Sequence, residues 1–132
     1  MGGPVAWIVN REKKPSRSSC EAEIHAVDEG CRLTEYARFL LEELGEPEAS
    51  APVPLYNDNQ GTVDWSATCC VNKRLRHMNI REITVLQSKL DGTVDIRHIP
   101  GRHNPSDLFT KEHKDDTHFA FVRDILVVAR DP

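Results

Sequence analysis

The feature that most constrains this chain is a long amphipathic pattern following Ser18. Ser18 stands three residues before Glu21, the spacing of a capping box that opens a helix. Apolar residues then recur at helical intervals, at Ala22, Ala26, Leu33, Ala37, Leu40, Leu41 and Leu44, and Gly45 is a natural stop. The spacing predicts a helix over about 19–44. A helix of that length needs a sheet or other helices to cover its apolar stripe, so the remaining segments must supply them.

They do so in alternation. Residues 4–9 place Val5, Trp7 and Val9 on one face, a strand pattern. Pro15 breaks the basic stretch that follows. A short strand is expected at about 53–57, a short helix at about 60–67 and a second long helix at about 77–90, with Ile80, Ile83, Leu86 and Leu90 on its inner face. Asp91-Gly92 is a turn. Val94 and Ile96 mark a strand at about 93–99, PGRHNP is a loop, and a final helix covers about 117–129. The order predicts an α/β domain. A sheet of about three strands is small for such a domain, and its beginning looks cut off.

Composition narrows the function classes. The 132 residues fit one domain, and no apolar run approaches membrane-spanning length. With no signal-peptide pattern, the chain is expected to be soluble and intracellular, cytoplasmic or nuclear rather than secreted or membrane-bound. The four cysteines, Cys20, Cys31, Cys69 and Cys70, show no disulfide-framework spacing. Net charge is −4, against the basic excess of a free-standing nucleic-acid binder. The charges are nevertheless segregated: Lys73, Arg74, Arg76 and Arg81 cluster with a single acid, Glu82. Phosphate contact, if made, is local.

Three acids stand where chemistry collects. Glu23 lies in the first turn of the long helix, Asp58 at the carboxyl end of a strand, and Asp107 at a helix start after PGRHNP. Hydrolysis of a phosphodiester by two divalent ions about 4 Å apart calls for such carboxylates on separate elements. The same residue types also favour helix N-termini through the dipole, so each acid alone has a plain structural explanation.

Four segments, SSCEAEIHA (18–26), PLYNDNQGTVDWS (54–66), NKRLRHMNIRE (72–82) and IPGRHNPSDLFTK (99–111), together resemble the ribonuclease H domain of copia-type retrotransposon Pol polyproteins. Order and spacing match along nearly the whole chain. The resemblance implies a ribonuclease H-like mixed sheet with flanking helices, lacking the first hairpin (the first two strands), so that residues 1–132 form a partial domain. It implies metal-dependent hydrolysis of RNA in RNA–DNA hybrids during reverse transcription, with two Mg²⁺ or Mn²⁺ ions and a reverse transcriptase domain upstream in the polyprotein. Glu23, Asp58 and Asp107 match three of the family's catalytic, metal-holding acids. Asp58 and Glu23 would share one ion and Asp107 would hold the other. The family's first aspartate belongs to the hairpin expected before GGPVAW, and the chain alone is therefore expected to be inactive. The alternative is a non-catalytic retroelement-derived fragment serving as a nucleic-acid-binding or protein-interaction module.

Further residues follow from the same match. Asn59 and Gln60 beside Asp58, and Lys73, Arg74, Arg76 and His77 in the basic stretch, are candidates for nucleic-acid contact, with solvated loops as the plain reading. His103, four residues before Asp107, is a candidate proton carrier. A zinc site from Cys69, Cys70 and His77 with His113 or His118 fits no standard ligand spacing. Trp7 and Trp65 are expected to be core or half-buried anchors.

Overall fold

The computed structural model describes residues 6, 8–9, 19–46, 51–68, 79–110, 112 and 115–126. The chain divides into two units, residues 14–98 and residues 1–13 with 99–132. The first carries α1 (Ser19–Glu43), β1 (Val53–Asn57), α2 (Gln60–Thr68), α3 (Ile80–Leu90) and β2 (Val94–His98). The second carries a 3₁₀ turn (Gly101–His103), α4 (Asp107–Thr110) and α5 (Asp116–Leu126). Among the described residues no helix is long and apolar enough to cross a membrane.

β1 and β2 form a two-stranded parallel sheet, with Val53 opposite Val94 and Asn57 opposite His98. Parallel neighbours need a crossover, and α2 and α3 lie in the chain between them. Alternation along β2 turns Val94 and Ile96 inward while Arg97 is exposed. These two meet Val27 and Cys31 of α1 and Val85 of α3, with Leu55, Val63 and Trp65 packed against the group. Trp65 thus serves as the half-buried anchor its pattern suggests.

α1 ends where Gly45 adopts a positive φ of 76°, which lets the Glu46 N–H turn back to the Leu41 carbonyl at 3.0 Å. At the start of α3, Asn79 accepts from the Arg81 N–H at 3.4 Å, and Glu82 accepts from the Asn79 N–H at 3.2 Å. This is a capping box. Gly92, with φ 70°, makes the turn into β2.

The buried faces differ from those the apolar spacing suggests. On α1 the buried residues are Ile24, Val27, Asp28 and Cys31, all in its first half, whereas Leu40, Leu41 and Leu44 are exposed. On α3 they are Val85, Leu86 and Ser88, while Ile80 and Leu90 are exposed. Beside the apolar Ile24, Val27, Val85 and Leu86, the small or polar Asp28, Cys31 and Ser88 complete the contact arcs, and a pattern of large apolar residues does not register them. Ser88, for example, donates to Glu35 Oε1 at 2.7 Å.

The strand expected over 4–9 is only partly described. Ala6, Ile8 and Val9 are not in a strand, and Ile8 and Val9 are exposed. Alternating apolar residues become a strand only when a neighbour takes up the backbone hydrogen bonds, and the described sheet contains β1 and β2 alone. The first turn of α3 also starts later than expected, at Ile80, with residues 77–78 outside the described set. The final helix opens at Asp116, and residues 127–129 of its expected span likewise lie outside the described residues.

Candidate active site

α1 packs against β1, and this carries Glu23 to the carboxyl end of that strand. There Asn57, only 7% exposed, donates from Nδ2 to Glu23 Oε2 at 3.0 Å. Its Oδ1 accepts from the Asn59 N–H at 2.7 Å. The two contacts fix the amide's orientation without ambiguity, because a carboxylate only accepts and a backbone N–H only donates. One side chain therefore ties the helix acid to the turn that contains Asp58.

Asp58 is half-buried in that turn. Asn59 then caps α2: its Oδ1 accepts from the Thr62 N–H at 3.3 Å, and its carbonyl accepts from the same group at 3.1 Å. Gln60, exposed, donates from Nε2 to Asp64 Oδ1 at 2.7 Å, one turn along the helix. Both amides, offered by the sequence as contacts for nucleic acid, are thus engaged in building α2.

In the other unit Asp107 is 8% exposed and opens α4. The turn before it is closed by Asn104, whose Oδ1 accepts from the Ser106 N–H at 3.1 Å and whose carbonyl accepts from the Asp107 N–H at 3.2 Å. His103 is half-buried with its ring 5.5 Å from that of Phe121 on α5, tilted by 50°. His118 Nε2 lies 2.8 Å from the Arg102 carbonyl, which can only accept, so this nitrogen carries the proton. The PGRHNP loop is therefore pinned to α5 at two adjacent residues.

Lys73, Arg74, Arg76 and His77 lie outside the described residues, as do Cys69, Cys70 and His113 of the conceivable zinc set and Trp7. Asn57 was not singled out by the sequence. Its only signal there is adjacency to the DNQ motif, since an asparagine ending a strand is otherwise an ordinary turn former.

Glu23 and Asp58 offer carboxylate oxygens, the donors that a hard divalent cation takes. The chemistry of the donors fits such an ion, but their number does not close a site. Among the described residues no group of three or more His, Cys, Asp or Glu side chains is placed to hold a metal. What the geometry provides in residues 14–98 is a pair of acids at a strand end, one of them held by an internal amide.

Comparison with known proteins gives this arrangement a context. The chain is similar to part of retrotransposon Pol polyproteins. It is 27% identical over 108 residues to the retrovirus-related Pol polyprotein from transposon RE2 of Arabidopsis thaliana, and 28% identical over 108 residues to that from transposon RE1. Each alignment covers 82% of this chain and 7% of the relative, so the chain spans a small fraction of the polyproteins it matches. No family model matches the sequence. No solved structure matches it either.

Proposed function

We propose that this chain is the ribonuclease H-like segment of a copia-type retrotransposon Pol polyprotein, and that its substrate is the RNA strand of an RNA–DNA hybrid. The observation that carries the reading is the hydrogen bond from Asn57 to Glu23, which joins positions 34 residues apart and sets Glu23 beside the Asp58 turn. Glu23 and Asp58 are two of the acids that the family resemblance selects, and they come from separate elements, as phosphodiester hydrolysis requires. A hydrolytic site of this class uses Mg²⁺ or Mn²⁺ to stabilise charge on the phosphate. On this reading Glu23 and Asp58 serve it, Asp107 is the third acid that the family resemblance selects, and the ribose 2′-hydroxyls and minor-groove shape select the hybrid.

A second reading is favoured by one specific observation: among the described residues no three metal-holding side chains are grouped. It is a retroelement-derived fragment that binds nucleic acid or a protein without cleaving. Incubation of the 132-residue chain with an end-labelled RNA–DNA hybrid and Mg²⁺ or Mn²⁺ separates the two, with fluorescence anisotropy reading binding in parallel. These residues carry three of the family's four acids, and the expected result is binding with little or no cleavage. Robust turnover that disappears in Asp58→Asn refutes the non-catalytic reading. Absence of any preference for hybrid over duplex DNA refutes the ribonuclease H assignment.

A further inference from the structure

α1 carries two apolar faces, and the fold covers one of them. Ile24, Val27 and Cys31 are buried in its first half. At 3.6 residues per turn, Leu33, Tyr36, Leu40 and Leu44 fall on the side opposite Cys31. The Leu44 N–H still bonds the Leu40 carbonyl at 3.1 Å, so the helical path continues to the end of this stripe. Tyr36 is 61% exposed and Leu44 77%, with Phe39 at 58% on one flank. Single apolar residues on a surface are ordinary, whereas a contiguous stripe on one helix face marks an interaction surface. We infer that this stripe is the interface of a symmetric dimer, in which α1 packs antiparallel on α1 of a second copy.

The charges beside the stripe are self-complementary in that arrangement. Setting Ala37 opposite the partner's Leu40 places Leu33 opposite the partner's Leu44. Arg32 and Glu43 share the Phe39 flank, and in this register each stands within roughly 3 Å, measured along the axis, of the other residue of the partner. Symmetry makes the contact twice. The Arg32 side chain is 55% exposed and has N–H donors besides the one on Asp28. The last turn of α1 holds Glu42 and Glu43 and no base, so the helix dipole leaves a negative end that the partner's Arg32 neutralises. A parallel pair would instead set Glu43 against its own copy. The area is sufficient as well. Taking about 200 Å² for a side chain of this size, Tyr36, Phe39, Leu40, Leu41 and Leu44 expose roughly 550 Å² per copy, or about 1,100 Å² in the pair. That is the size at which a specific, reversible interface begins, with a dissociation constant of about 10 µM.

The test is sedimentation velocity on the full 132-residue chain, as wild type, Leu44→Glu and Glu43→Gln. Between about 1 and 200 µM, wild type is expected to pass from monomer to dimer. Leu44→Glu should weaken the dimer at least about thirtyfold, because symmetry applies the lost burial and the added charge twice. Glu43→Gln should weaken it about threefold and remove most of its salt dependence, since the attraction to Arg32 is screened by salt. In a parallel pair the same substitution relieves repulsion, so a tighter Glu43→Gln dimer overturns the inference. A chain that stays monomeric to about 200 µM overturns it too, and leaves the stripe to a different protein. A dimer indifferent to Leu44→Glu uses another surface and overturns it equally. Melting curves at the lowest concentration check that Leu44→Glu folds as wild type does. Should it unfold, the sign of the Glu43→Gln effect decides alone.

Discussion

Gly30 offers a quantitative check on how α1 brings Glu23 to β1. It lies in the middle of α1, and a Cβ placed on it would stand 2.8 Å from Leu55 Cδ1, with Leu55 Cδ2 and Cγ at 3.7 Å. In an exposed helix interior, glycine to alanine stabilises by about 1 kcal/mol. Here Leu55 Cδ1 must first retreat by roughly 0.7 Å to reach an ordinary carbon–carbon separation. Leu55 is half-buried and its end can move, so the cost is that of an off-rotamer side chain, about 0.5–1.5 kcal/mol. The two effects cancel, and Gly30→Ala is expected to leave stability nearly unchanged. In a Leu55→Ala background nothing opposes the helix gain, and the same substitution should stabilise by about 1 kcal/mol. The coupling between the two sites is thus about 1 kcal/mol, measurable as a double-mutant cycle by urea unfolding. Gly30 and Glu23 lie two turns apart on α1, and Leu55 and Asn57 share one face of β1. Any outward shift of α1 in Gly30→Ala should therefore also weaken the Asn57–Glu23 hydrogen bond, visible as faster exchange of the Asn57 side-chain amide protons. Equal effects of Gly30→Ala in both backgrounds would refute the close approach of α1 to β1.

Two further predictions concern buried groups on α1. Burial, reinforced by the nearby Glu35 and Asp28 carboxylates and opposed by a hydrogen bond with Ser88, pushes the Cys31 thiol up from 9.0 to about 11. The unfolded chain therefore loses this proton first as pH rises. The thiol's contribution to stability is constant below about pH 9 and falls through the window to about pH 11, by up to roughly 1.4 kcal/mol per pH unit. Urea unfolding across that window should show the slope in wild type and its reduction in Cys31→Ala; parallel curves would count against it. Asp28 is fully buried, and neither carboxylate oxygen has an aligned hydrogen bond, although Arg32 Nη2, on a largely exposed side chain, stands 3.0 Å from Oδ2. Removing that buried charge in Asp28→Asn should stabilise the fold by about 1 kcal/mol at neutral pH, and a loss of stability would show that the ion pair outweighs its desolvation.

The elements most legible in the sequence are those written in local chemistry. α1, β1, α2 and β2 lie within a residue or so of their expected spans because periodicity, Gly45 and the Asp91-Gly92 turn act over a few residues. The faces of α1 and α3 were less legible. Burial of Asp28, Cys31 and Ser88 depends on what packs opposite them, and their side chains carry weak or contrary hydrophobic signals. Asn59 and Gln60 illustrate the same limit at the candidate site. Polar residues beside an acidic motif suggest ligand contact, yet helix capping and an i to i+4 hydrogen bond claim both.

By itself, the sequence determined the order of elements from α1 to β2, the placement of Glu23, Asp58 and Asp107 at element ends, and the similarity to part of retrotransposon Pol polyproteins. These are matters of periodicity, turn chemistry and motif order, each set by neighbours along the chain. Only the tertiary structure decided that Asn57, rather than Asn59 or Gln60, reaches the helix acid, and that the Cys31 face of α1 is the one covered. The reason is physical. A hydrogen bond across 34 residues forms only after α1 has docked on β1 closely enough for Gly30 to meet Leu55, and no local pattern encodes that distance.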